Sequence, residues 1–144
     1  MAIIQTLTTS FKVELAQGLH NFTTGTGDVF KLALYTANAD LGASTTAYTA
    51  SGEVSSSGTN YSSGGITLTN ITPSFQGTTA YWSFEDATFT NVTLTTNGAL
   101  IYNTTNGNRS VCVLNFGVNI TKTAQNLVIT FPVDDATNAI MRIA

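Results

Sequence analysis

Asn97-Gly98-Ala99-Leu100-Ile101-Tyr102-Asn103, followed by Asn106-Gly107 and then Ser110-Val111-Cys112-Val113-Leu114-Asn115-Phe116, decides the fold. Asn-Gly between alternating strands is the strongest short-range hairpin signal, because both residues tolerate the positive φ angles of a tight turn. The first dipeptide predicts a turn into a strand from Ala99 to Asn103, and the second a turn into a strand from Ser110 to Phe116. The same pattern extends outward. Phe30–Tyr35 (FKLALY) alternates with period two, so residues 30, 32 and 34 face one side and 31, 33 and 35 the other. Ile66–Thr69, Thr79–Glu85, Thr88–Thr95, Leu127–Phe131 and Ala139–Ile143 read as further strands, with a short one near Tyr48. Roughly eight or nine short strands separated by turn residues predict an all-β chain, a β-sandwich or jelly roll.

Two features precede the strands. Residues 1–9 read as an extended N-terminal arm, with Ile3, Ile4 and Leu7 apolar among β-favouring threonines. Ser10 then reads as the N-cap of one short helix, Phe11–Gln17, closed by Gly18, with Phe11, Leu15 and Leu19 on its buried face. Residues 10–144 form a single β-sandwich domain on this reading, and no internal repeat is present. Gly52–Gly65, with Ser55-Ser56-Ser57 and Gly64-Gly65, carries the weakest core signal and reads as a projecting, flexible excursion. Trp82, Phe84, Phe89, Phe116 and Phe131 occupy inward-reading positions and are expected in the core.

Charge is scarce. Five basic and eight acidic residues stand among 144, against 27 Thr, 13 Asn, 12 Gly and 11 Ser. Ordinary domains are about a quarter charged, and β proteins usually guard their surfaces and sheet edges with Lys, Glu or Pro. A chain that omits these guards while keeping 42% hydrophobic residues is expected to fold and then to work with much of its surface docked. Lys12, Lys31, Arg109, Lys122 and Arg142 are scattered singly, so no basic stripe exists for nucleic acid. No apolar run reaches the ~20 residues of a membrane helix, and the N-terminus lacks the pattern of a signal peptide. Neither a nucleic-acid nor a membrane partner is expected. The lone Cys112, in an apolar run, reads as a packed thiol.

No catalytic constellation emerges. His20 is the sole histidine, and no Gly-x-Ser-x-Gly elbow accompanies it, so it reads as a hydrogen-bonded packing or interface residue. Glu85-Asp86 are strand neighbours that point to opposite faces, and Asp134-Asp135 read as turn-capping or solvated carboxylates. One His and one Cys exclude a conventional zinc site, and no calcium loop, phosphate loop or dinucleotide fingerprint is present. Catalytic, metal and cofactor residues are therefore expected to be none. Seven Asn-x-Ser/Thr triplets, at Asn21, Asn60, Asn70, Asn91, Asn103, Asn108 and Asn119, read as turn and hydrogen-bonding residues.

Several stretches carry a resemblance: Phe11–Phe22 (FKVELAQGLHNF), Phe30–Thr36 (FKLALYT), Ala47–Glu53 (AYTASGE), Ala80–Phe84 (AYWSF), Gly98–Asn103 (GALIYN), Gly107–Arg109 (GNR), Leu114–Gly117 (LNFG) and Phe131–Ile143 (FPVDDATNAIMRI). In this order, over nearly the whole chain after the arm, they resemble small structural proteins of tailed bacteriophages, most closely capsid cement or decoration proteins. That resemblance implies a β-sandwich or jelly-roll subunit on the capsid surface of the virion, assembled in the bacterial host cytoplasm. It further implies the major capsid protein as partner, self-association as a dimer or trimer, no cofactor and no enzymatic activity. Ile3, Ile4 and Leu7 of the arm are then expected to clamp a neighbouring subunit by adding a strand to its open edge. A tail, baseplate or fibre module is the alternative, with Tyr48 and Tyr61 reading host glycans through the Gly52–Gly65 excursion.

Overall fold

The Asn106-Gly107 turn forms as the sequence predicts, and it joins the two longest strands of the molecule. A computed structural model describes residues 2–144; Met1, part of the expected arm, lies outside the described residues. Numbered in chain order, the elements are β1 (Thr6–Leu7), α1 (Thr9–Ala16), β2 (Phe30–Tyr35), β3 (Ile66–Thr67), β4 (Ser74–Gln76), β5 (Thr79–Trp82), β6 (Ala87–Asn103), β7 (Arg109–Ile129) and β8 (Met141–Ile143). They make two antiparallel sheets, of order β1-β7-β6-β2-β3 and β4-β5-β8, in an all-β, sandwich-like arrangement with one short helix.

The β6–β7 hairpin explains the burial pattern. Along residues 87–96 of β6 buried and exposed residues largely alternate, with Phe89, Val92, Leu94 and Thr96 inward and the other threonines outward. From Gly98 to Asn103 every residue is buried, because β2 has joined the sheet and both of its faces are covered. Phe30, Leu32 and Leu34 face the main core together with Ala99 and Ile101, opposite Trp82 and Met141 of the smaller sheet. Ala33 and Tyr35 face a second, smaller core with Leu100, Tyr102, Leu41 and Ile3. The period-two reading of Phe30–Tyr35 thus sorts those side chains into two cores.

Asn97-Gly98 does not turn the chain. Both residues lie inside β6, where Gly98 pairs with Tyr35 on one side and Asn115 on the other. A Cβ on Gly98 would lie 2.5 Å from the Leu114 carbonyl and 2.9 Å from Ile3 Cγ2, so glycine is there for close approach. The irregularity falls on β7 instead. Between Thr96 and Gly98 the partner strand runs from Ile120 to Asn115, looping out extra residues around Phe116–Asn119. Consequently the expected strands at Ser110–Phe116 and Leu127–Phe131 are parts of one long strand, and β4 is a strand the sequence pattern did not reveal.

Helix α1 starts two residues earlier than expected. Its N-cap is Thr8, not Ser10, and the Thr8 hydroxyl bonds β7 rather than the helix N-terminus: it receives Ser110 Oγ–H at 2.9 Å. The predicted stop holds. Gly18 has φ +72°, its N–H donates to Leu15 O, and Leu19 N–H donates to Glu14 O, the paired bonds of a Schellman ending. Phe11 is buried while Leu15 and Leu19 are half-buried, and Glu14 is the second buried residue of the helix.

Two expectations, of an extended arm and of a projecting excursion, change. The arm lies on the body: Thr6 and Leu7 pair with Val113 and Cys112, Ile3 bridges Leu41, and Ile3 and Thr8 are buried. Gly52–Gly65 does not project as a whole. Val54, Tyr61, Gly64 and Gly65 are buried, and only Ser55–Gly58, Asn60, Ser62 and Ser63 are exposed. Hydrogen bonds from Leu34 N–H to Tyr61 Oη, from Tyr102 Oη–H to Gly64 O and from Thr93 N–H to Thr59 O hold this segment against β2 and β6.

Candidate functional site

Two buried polar networks hold the chemistry-bearing side chains. In the first, Glu53 Oε1 accepts from Tyr61 Oη–H at 2.7 Å and Gly64 N–H at 2.6 Å, and Glu53 Oε2 accepts from Tyr48 Oη–H at 2.6 Å. Tyr61 Oη in turn accepts from Leu34 N–H, and Tyr102 Oη–H donates to Gly64 O. Tyr48 stacks on Tyr102 with ring centroids 4.8 Å apart. Burial, followed by the nearby Glu53 carboxylate, pushes the Tyr102 hydroxyl up to about 12. The same two causes raise Tyr48, and burial chiefly raises Tyr35 and Tyr61. These phenols stay protonated and act as donors that fasten the 48–65 segment to β2 and β6.

The second network surrounds His20. Asn103 Oδ1 accepts from the N–H groups of Thr105 and Asn106, which turns its Nδ2 toward His20 Nδ1 (3.0 Å) and Asp28 Oδ2 (2.8 Å). His20 Nδ1 is therefore an acceptor, and Nε2–H donates to Glu14 Oε1 at 3.0 Å. Glu14 Oε2 pairs with Arg109 Nη1 at 2.9 Å. Phe11, Phe22 and Phe30 surround the imidazole with ring centroids 4.9–6.5 Å away. Both ring nitrogens are engaged and the side chain has no solvent exposure, so His20 ties α1 to the 104–108 turn. Asp135 caps Thr137 and Asn138, as a turn carboxylate does. Among the described residues, no group of three His, Cys, Asp or Glu side chains could hold a metal ion, and no helix is long and apolar enough to cross a membrane.

The predicted interface residues do not gather on one surface. Ile4 is 61% exposed and available to a partner, and Leu7 and Tyr48 are half-buried. Ile3 is enclosed by the second core, and Tyr61 by the main core against Phe89. Sequence alternation cannot separate these cases, because Tyr61 sits in a Ser/Gly-rich loop that bonds from β2 and β6 draw inward.

An unpredicted feature stands out at the sheet edge. β1 pairs with β7 only at Cys112 and Val113, and Gln5 Oε1 caps the N–H of Asn115. From Leu114 to Ile129, among the described residues, no strand pairs with the outer edge of β7. Beside this edge runs a groove of two adjoining parts, about 260 and 360 Å³, the larger mainly apolar, which share Gln5, Leu114 and Ile140. Phe116, Ile129 and Phe131 line its larger part. Lys122 is the only charged side chain in β7 beyond Arg109.

No protein-family model matches this chain, and neither curated proteins nor solved structures contain a significant match to it.

Proposed function

We propose that this chain is a virion structural protein, a cement or decoration subunit that binds and stabilises a shell of major capsid protein, with no catalytic role. The observation that carries the reading is the uncovered edge of β7 from Leu114 to Ile129 with its apolar groove. An open edge presents a row of backbone donors and acceptors, and an extended segment of a neighbour pairs with it while its alternate side chains fill the groove. The scarcity of charge supports this, since little desolvation opposes docking, and Thr and Asn still provide hydrogen bonds across a polar interface. The resemblance over Phe11–Ile143 supplies the capsid as the partner.

Purified shells lacking this protein provide the test. Added protein is expected to bind saturably, in hundreds of copies, at positions fixed by the shell lattice and visible by electron cryomicroscopy. Val118→Lys and Thr123→Lys put cations on the open edge at exposed positions; each should lower occupancy at least about tenfold with an unchanged melting temperature. Attachment in a few copies at a vertex or tail, or full occupancy by both variants, would defeat the proposal.

A further inference from the structure

The inner face of the smaller sheet covers the core at one end only. Trp82 and Met141, paired across β5 and β8, are buried. Two residues along β5, Ala80 pairs with both Phe75 and Ile143, and cross-strand partners point to one side. The row Phe75–Ala80–Ile143 therefore continues the core-facing surface beyond the body. Phe75 is 74% exposed, the highest of any large apolar side chain described, and Ile143 is 53% exposed. Beneath the overhang lies a largely apolar groove of about 320 Å³, walled by Leu15, Phe22, Pro73, Ala80, Trp82 and Ile143 together with the polar His20 and Asn21. Trp82 is 6% exposed, and its buried Nε1–H has no hydrogen-bond partner. Native structures rarely leave such a donor alone.

We infer that this overhang is a self-docking surface: a second copy of the chain packs on it about a two-fold axis, and Phe75 of each copy enters the other's groove. Charge admits this occupant. Ile71–Phe84 contains no charged residue, and of the eight groove walls only His20 is titratable, with both ring nitrogens already engaged. Two molecules of net charge −3 thus meet here without opposing like charges. Geometry agrees with charge, because projecting side chain and receiving groove lie side by side, as an isologous interface requires. A dry apolar cavity of about 150 Å³ takes a benzene ring, so the groove accommodates a phenyl group.

The area sets the strength. One aromatic side chain buries about 150–250 Å², and reciprocity doubles the contact, which still leaves the interface below the ~1,200 Å² of stable complexes. The dimer is therefore weak, with a dissociation constant on the order of 0.1–1 mM. This inference gives a surface to the self-association that the resemblance to decoration subunits implies. It is measured on purified protein without particles, so it and the proposed capsid binding can each fail alone.

Trp82 is the only tryptophan, and its indole N–H gives a single reporter signal in a proton–nitrogen correlation spectrum. From about 10 μM to about 2 mM, that signal should shift, as the partner's phenyl ring enters the groove that Trp82 walls, in step with a monomer–dimer transition in sedimentation equilibrium. Phe75→Ser, at an exposed position, should keep the wild-type fold by circular dichroism and weaken dimerisation at least about tenfold. Ile143→Thr should weaken it less. A monomer at every concentration, a dimer that leaves the indole signal in place, or a dimer that Phe75→Ser retains would each overturn the inference.

Discussion

Gly98 shows how one residue fixes the meeting of three elements. Its missing side chain lets β7 and the buried Ile3 approach β6. Gly98→Ala is expected to destabilise the protein by about 1–3 kcal/mol through overpacking, read as a lower urea midpoint with an unchanged slope. Cys112 makes a second case. Burial pushes its thiol up to about 12, so little thiolate forms near neutrality. Alkylation at pH 8 should be at least about a thousandfold slower for the folded protein than for the chain in denaturant. Asp134 offers a pH test. Burial first, then Asp135 and Glu85, raise its carboxyl above the ordinary value. Its ionised form is thus disfavoured in the fold, so the associated stability is complete below about pH 4 and lost as pH rises through the folded pKa. Asp134→Asn should stabilise the protein at pH 7 by less than about 1 kcal/mol, since the group is only partly buried, and the gain should vanish near about pH 3 in thermal melts. Asp135 runs the other way. The Asn138 side chain, then the N–H groups of Thr137 and Asn138, hold it low, so its contribution is present above about pH 4 and lost on further acidification.

At the scale of elements, the N-terminal segment is part of the fold and not an appendage. Ile3 fills the second core, Thr6 and Leu7 extend the sheet, and Thr8 bonds Ser110. A clamp made from this arm would have to strip Ile3 from its own core first. Removing residues 2–8 should therefore destabilise the domain by about 3–5 kcal/mol, measurable by chemical denaturation. Helix α1 was legible from Gly18, whose φ of +72° ends the helix as a local steric preference predicts. Its start was less legible, because Thr8 is recruited by a strand more than a hundred residues away. The two Asn-Gly dipeptides carry the same lesson. At 106–107 local preference and tertiary pairing agree, whereas at 97–98 pairing on both sides of β6 overrides the turn.

Across the whole molecule, two sheets share one large core, and aromatic rings run through it. Phe22 and Phe30 stack at 4.4 Å, and Phe84 links them to Phe131. Each such pair adds about 0.5–1.5 kcal/mol beyond its buried area, so the interior is well anchored without a disulfide. The surface is the unusual part. With thirteen charges over 144 residues, association should depend little on ionic strength. Occupancy on shells is expected to change by less than about threefold between about 50 and 500 mM sodium chloride in a pelleting assay, whereas interfaces built on ion pairs lose far more.

The sequence by itself determined the strand at Phe30–Tyr35 and those flanking the 104–108 turn, where α1 stops, where that turn falls and how little charge the surface carries. Each follows from backbone sterics, side-chain period or composition, which act within a few residues. Only the tertiary structure decided that Ile3 and Tyr61 lie inside, that the 52–65 segment folds back onto β2 and β6, and that β7 and the Phe75–Ile143 row remain uncovered. Those outcomes depend on which distant segments reach a strand and how far their pairing extends. A sheet edge is defined by the partner it lacks, and no local pattern in a chain records that.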